Sequence, residues 1–139
     1  MTFREDFVFD DIVYATLIKT KDAPKGLTFS SSDEENIQAG VWNYEKGKIL
    51  DLHYHKDFPR EATRTGEAVC VMRGSIVCNL FTKEGDFLVQ IPIKESEVIV
   101  QYYGAHEYII EEDSVIIEIK NGPYFGPEKD RVRINAKKI

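Results

Sequence analysis

The sequence predicts an all-β domain in which short antiparallel strands form a sandwich or closed barrel. Three observations lead there. Apolar residues recur with period two: Ile12, Tyr14, Thr16 and Ile18 share one strand face, Ile76, Cys78, Leu80 and Thr82 a second, and Phe87, Val89, Ile91 and Ile93 a third. Turn signals punctuate these runs at Pro24-Lys25-Gly26, Glu45-Lys46-Gly47, Arg73-Gly74, Glu84-Gly85-Asp86 and Asn121-Gly122-Pro123. No long segment repeats apolar residues at the i, i+3, i+4, i+7 spacing of an amphipathic helix.

Taken in order, the elements begin with an N-terminal arm, residues 1–36. Phe3, Phe7, Val8 and Phe9 give it more apolar surface than a free terminus carries, so it packs on its own barrel or on a second subunit. Strands are expected at 11–19 and 26–30, with a short helical turn near Ser32–Glu35. The body, residues 37–124, carries strands at 37–44, 48–55, 66–73, 75–82, 86–94, 97–103, 106–111 and 114–120, and Trp42 anchors its strand to the core. The tail, 125–139, holds a short helix at Pro127–Asp130 and a strand at 131–134. With no repeat or linker, residues 1–139 read as one domain. The Arg73-Gly74 turn reads as a two-residue hairpin pairing Met72 with Ser75. That register puts Cys78 on the side of Glu67 and Cys70 on the other, which disfavours a disulfide; a shift of one residue would bring the two cysteines opposite each other.

Composition narrows the function. The 139 residues are 42% hydrophobic and 30% charged, ordinary for a globular protein, with a formal net charge of −6. An acidic chain repels phosphate backbones, so no nucleic-acid partner is expected. No apolar run approaches the about 18 residues of a membrane-spanning helix, so no membrane partner is expected. The start, Met1-Thr2-Phe3-Arg4-Glu5-Asp6, lacks an apolar signal core, and two cysteines make no disulfide scaffold. A reduced, cytoplasmic setting follows as the expectation.

The chain has three histidines, His53, His55 and His106. In a strand His53-Tyr54-His55 both imidazoles project to one face, about 6–7 Å apart at the backbone. Two ring nitrogens so placed can converge on one metal ion; two polar histidines on a surface strand fit the same pattern. The wider pattern is Gly47-x5-His53-x-His55, then, after Lys56–Gly66, Glu67-x6-Gly74. It resembles the first motif of the cupin superfamily, with a gap of eleven residues where that family usually has three or four, hence a longer loop. Glu61 is nearer the histidines, but it opens no apolar run and no glycine follows seven positions on, so Glu67 is preferred. Gln101-Tyr102-Tyr103-Gly104-Ala105-His106 is similar to the second cupin motif, lacking its proline, with the glycine one position closer to the histidine and Ile110 in place of its asparagine. The resemblance spans residues 37–124 and takes in all three histidines.

The resemblance implies a double-stranded β-helix, the jelly-roll barrel of small single-domain cupins. It implies a divalent transition metal (Fe, Mn, Zn or Ni) held by His53, His55, Glu67 and His106, a small polar molecule or sugar derivative as ligand, and a homodimer. A metal-free reading borrows from sugar-nucleotide epimerases of the same superfamily, with His55 or His106 as general base and Tyr108 or Tyr124 as general acid. A non-catalytic barrel that binds a small molecule is the third reading.

Other residues bear on the ligand. Glu118-Ile119-Lys120-Asn121-Gly122-Pro123-Tyr124-Phe125-Gly126 is similar to a segment of small cupins associated with bacterial surface-polysaccharide synthesis. It would set Glu118 or Tyr124 at the barrel mouth, or else end an amphipathic strand with solvated charges. Asp51 shares parity with His53 and His55 and could orient an imidazole. Arg60 and Arg64, in the long loop with Glu61, would favour an anionic ligand. Tyr102, Tyr103, Tyr108 and Tyr124 cluster around the third histidine and could simply fill a pocket.

Overall fold

The computed structural model describes residues 2–137, and every element in it of more than four residues is a strand. In chain order they are β1 (Arg4–Phe9), β2 (Ile12–Lys19), β3 (Gly26–Phe29), β4 (Gly40–Asn43), β5 (Glu67–Arg73), β6 (Ser75–Phe81), β7 (Phe87–Lys94), β8 (Glu97–Gln101), β9 (Ala105–Ile110) and β10 (Val115–Lys120). A 3-10 turn at Thr20–Asp22 and one helical turn, α1 (Pro127–Asp130), complete the set. Among the described residues no helix is long and apolar enough to cross a membrane.

The strands form a five-stranded sheet ordered β1-β2-β8-β5-β10, a three-stranded sheet ordered β7-β6-β9, and the β3-β4 ribbon, all antiparallel. The two larger sheets face each other. Between them lie Ala15, Leu17, Val69, Val71 and Ile99 from one and Ile76, Cys78, Leu80, Ile91 and Ile93 from the other. Each fully buried Ile or Leu contributes about 1.5–3 kcal/mol. The outer face of the five-stranded sheet holds a second cluster, Ile18, Ile37, Ala68, Val100 and Tyr102, packed with Val41 of the ribbon. β2 is therefore buried on both faces. The face expected to run from Ile12 to Ile18 is divided, because Phe7 pairs with Ala15 and Val8 with Val13, leaving Tyr14 as an extra residue. That bulge turns Tyr14 into the inter-sheet core while Ile18 joins the outer cluster.

The N-terminal arm packs on its own chain. Phe7 and Phe9 lie against the inter-sheet core and Phe3 against the outer cluster. β1 turns into β2 through Asp10 (φ 50°) and Asp11 (φ 61°), the two left-handed residues of a type I′ hairpin.

Five expectations are corrected. No strand forms at 48–55: residues 44–66 carry no regular structure, and Leu52 and Tyr54 are exposed. Alternation marks a segment that could be half-buried, but a strand also needs a neighbour, and neither sheet pairs with this one. Residues 131–134 likewise form no strand, and Ser32–Glu35 is a single turn closed by Glu35 N–H to the Ser32 carbonyl at 3.1 Å. Arg73-Gly74 is not a hairpin turn. β5 pairs with β8 and β10 and β6 with β7 and β9, so the chain changes sheets at this corner. Gly74, at φ 92°, fits there because a Cβ would strike Ser114 and the Asp113 carbonyl. Both cysteines are free. Trp42 is not a core anchor. The ribbon turns Val41 inward, leaving Trp42 on the outer face, 64% exposed beside Leu27 and Phe29.

Candidate functional site

Register places a polar row across the inner face of the five-stranded sheet. Lys120 lies opposite Glu67, Glu67 opposite Gln101, and Gln101 opposite Ala15. On the facing sheet His106 pairs with Leu80 and Tyr108 with Cys78, so the β9 residues of one parity look into the same interior. Glu67 and His106, thirty-nine positions apart, meet there with Oε1 and Nε2 at 3.1 Å. Glu67 is buried and His106 half-exposed, so the pair stands where the interior opens to solvent.

Several contacts hold Glu67 in place. The Asn121 side chain accepts from Gly66 N–H at 2.7 Å and donates to the Arg64 carbonyl at 3.2 Å, which fixes the entry to β5. Thr65 donates to Asp130 of α1 at 2.6 Å. Lys120 Nζ reaches Glu118 at 3.3 Å. Burial pushes the Glu67 carboxyl up, but the His106 hydrogen bond and charge, a hydrogen bond shared with Glu118, and the Lys120 charge outweigh it and hold its pKa below the ordinary value.

Deeper in, Gln101 Nε2 donates to Cys78 Sγ at 3.2 Å. Burial, with the charges of Glu67 and Glu107 acting the same way, pushes the Cys78 thiol up to about 12, so it is a neutral group at physiological pH. Burial also raises the Tyr108 hydroxyl, as do the neighbouring Cys78 and Glu67, so this phenol keeps its proton. The His106 and Tyr108 rings lie 5.4 Å apart, tilted by 51°.

His53 and His55 sit in the exposed 44–66 segment, their rings 5.2 Å apart and near perpendicular. His53 Nδ1 donates to the Asp51 carbonyl at 2.8 Å. A carbonyl only accepts, so the proton is on Nδ1 and Nε2 keeps its lone pair. Asp51 thus orients this imidazole through its backbone.

The Glu67–His106 separation is about what two donors span when each lies 2.0–2.2 Å from one ion, so the pair fits a metal as half of a ligand set. The structure does not bring His53 and His55 to it, and the described residues hold no group of three or more His, Cys, Asp or Glu side chains that could bind a metal ion. As folded here, the four expected ligands do not make one complete site.

The loop arginines and the tail tyrosine are occupied elsewhere. Arg60 stacks on Phe58 at 3.7 Å, Arg64 reaches Glu35 at 3.4 Å, and Tyr124 is exposed with Lys120 Nζ 5.0 Å from its ring centre. Glu61 is exposed in the loop. A shallow groove of about 610 Å³, edged by Lys25, Asn43, Tyr44, Lys46 and Lys48, includes none of the interior residues. Sequence reasoning missed Gln101, Cys78 and Asn121 as parts of the site. Gln101 gave a signal as the polar residue ending the apolar run Val98-Ile99-Val100, but its partners follow from register between distant strands. No protein-family model, curated protein or solved structure matches the chain.

Proposed function

We propose that this chain is a small cupin-type barrel that binds a small polar molecule at the Glu67–His106 end of the interior and holds a divalent transition metal there. The observation that carries the reading is that pair: a buried carboxylate and an imidazole from facing sheets, 3.1 Å apart. The resemblance of the two histidine motifs supports it.

Completing the ligand set requires the 48–55 segment to dock, and two features favour docking. β9 is an edge of its sheet and offers unpaired backbone groups. The sequence of the segment alternates, with Leu50, Leu52 and Tyr54 at one parity and Asp51, His53 and His55 at the other, and the three apolar residues are exposed. Added beside β9 with the histidines inward, it would bring them toward His106.

The test is titration of untagged, chelator-free protein with Zn, Fe(II), Mn and Ni. The expected result is one ion per chain and a raised melting temperature, because the donors tie distant segments in the native state only. His53→Ala, His55→Ala and His106→Ala should each lower stoichiometry sharply, and Glu61→Ala slightly. Binding should weaken below about pH 6 as imidazoles protonate. No binding and no thermal shift with any of these ions would discard the metal reading.

The metal-free reading has its own support. His106 and Tyr108 share a strand face, and the Glu67 carboxylate can accept only from a protonated Nε2, which leaves Nδ1 of a neutral His106 as the basic nitrogen. Tyr108, which keeps its proton, could act as the acid. This arrangement favours His106 with Tyr108 over His55 with Tyr124, both of which are exposed.

A further inference from the structure

The two larger sheets end in four edge strands, β1 and β10 on one and β7 and β9 on the other. An edge offers unpaired N–H and C=O groups to any strand that reaches it, and proteins blunt edges with charge, proline or bulges. β1 opens with Arg4-Glu5-Asp6 and carries a bulge between Phe7 and Val8. β7 has Pro92 in its ladder, which supplies no N–H. β9 presents His106 and Glu107 and is the edge that the 48–55 segment would take.

β10 is different. Val115-Ile116-Ile117-Glu118-Ile119-Lys120 has no proline, and its bulge sits at its first residue. Its ladder to β5 uses one edge. Among the described residues, no backbone hydrogen bond from another segment reaches the other edge. Val115, Ile117 and Ile119 share one strand face and are all exposed. The charged residues have the opposite parity, and there Lys120 Nζ meets Glu118 at 3.3 Å.

A second copy of the strand matches this edge. A two-fold axis perpendicular to the sheet makes the pair antiparallel and keeps like faces together, so only residues of one parity stand opposite each other. Two registers use most of the strand. With Glu118 on the axis, its carboxylate faces its own copy, and like charges directly opposite are destabilising. With Ile117 on the axis, Val115 stands opposite Ile119 of the copy and Ile116 opposite Glu118. No charge then faces its like, and the apolar row runs unbroken across the seam.

We propose that β10 pairs with β10 of a second copy about Ile117, joining the two five-stranded sheets into one ten-stranded antiparallel sheet. The seam is one strand from Glu67, because Lys120 lies opposite Glu67 in the ladder. Glu118 and Lys120, which hold Glu67 ionised, thus stand on a strand paired along both edges in the dimer and along one in the monomer. The pairing depends on neither metal nor ligand.

Cross-linking and hydrogen exchange test it on the full chain. Ile117→Cys is made together with Cys70→Ser, since Cys70 is the cross-strand partner of Ile117 within the chain. With oxidised glutathione it should form a disulfide-linked dimer that dithiothreitol reverses. Ile119→Cys in the same background should not, because the two copies of residue 119 are four strand steps apart, about 13 Å, beyond disulfide reach. Mixing Ile119→Cys with Val115→Cys chains should restore the link. In wild-type protein, alternate amides of β10 should exchange about tenfold more slowly when concentrated than when diluted, the effect of one added hydrogen bond each. The proposal is overturned if the protein is a monomer at every concentration. It is equally overturned if a dimer forms but β10 amides exchange alike at both concentrations, or if Ile119→Cys alone cross-links as well as Ile117→Cys, as for sheets packed face to face. Metal titration of the Ile117→Cys dimer, reduced and oxidised, keeps this result separate from the interior site, whose binding should appear in both.

Discussion

Glu67 is held ionised by its neighbours, and the acid behaviour of the protein follows from that. Its folded pKa is depressed, so the stability it contributes is fully present above the unfolded glutamate value, about 4.3, and is lost as pH falls through the lower folded value. Melting temperature is therefore expected to hold from neutral pH to about pH 5 and then to drop. Glu67→Gln should lower neutral-pH stability by about 1–2 kcal/mol, since His106 and Lys120 lose the carboxylate but stay partly solvated, and should flatten the acid limb. An acid limb unchanged in Glu67→Gln would assign it to other carboxylates. Glu67 was legible in the sequence because a strand begins there and a glycine turn follows at Gly74. Its meeting with His106 at 3.1 Å was not, because that depends on how two sheets face each other.

At the scale of elements, period-two patterning located β2 and β5 to β10, and the proline at the start of α1 marked that turn. The failures have one cause, that a local pattern does not name its neighbour. Segment 48–55 alternates as well as β7 does, yet β7 has β6 beside it and 48–55 has no strand beside it. Arg73-Gly74 looks like a hairpin because tight turns use the same residues whether or not the flanking strands pair. The β1-β2 turn yields a direct prediction. Asp10 and Asp11 both adopt positive φ, where Asn-Gly is the favoured pair. Asp10→Asn with Asp11→Gly should raise stability by about 0.5–1 kcal/mol, read from the midpoint of urea unfolding. A loss of stability would mean that the aspartate side chains have another role.

For the molecule as a whole, the sheet face left uncovered matters most. The outer face of β10 presents Val115, Ile117 and Ile119, each close to half-exposed, with Met72 of β5 also uncovered. The N-terminal phenylalanines are used within the chain, so they do not require a partner; this face does not have that excuse. We expect a homodimer built on it. Sedimentation velocity at micromolar concentration should show two chains, and Ile117→Lys should return one chain without loss of the strand signal in circular dichroism. A wild-type monomer would refute the dimer and leave the fold untouched.

The ladder between β2 and β8 has a consequence in time. Ala15 pairs with Gln101, 86 positions later. At about 5–20 residues per second, a ribosome needs about 4–17 seconds to make that interval. Throughout it the β1-β2 hairpin has one ladder edge waiting, with Leu17 and Ile18 destined for opposite clusters and neither yet covered. The first part of the chain to be made is thus among the last to be sealed, and the nascent protein is most vulnerable to pairing with the wrong strand before β8 emerges.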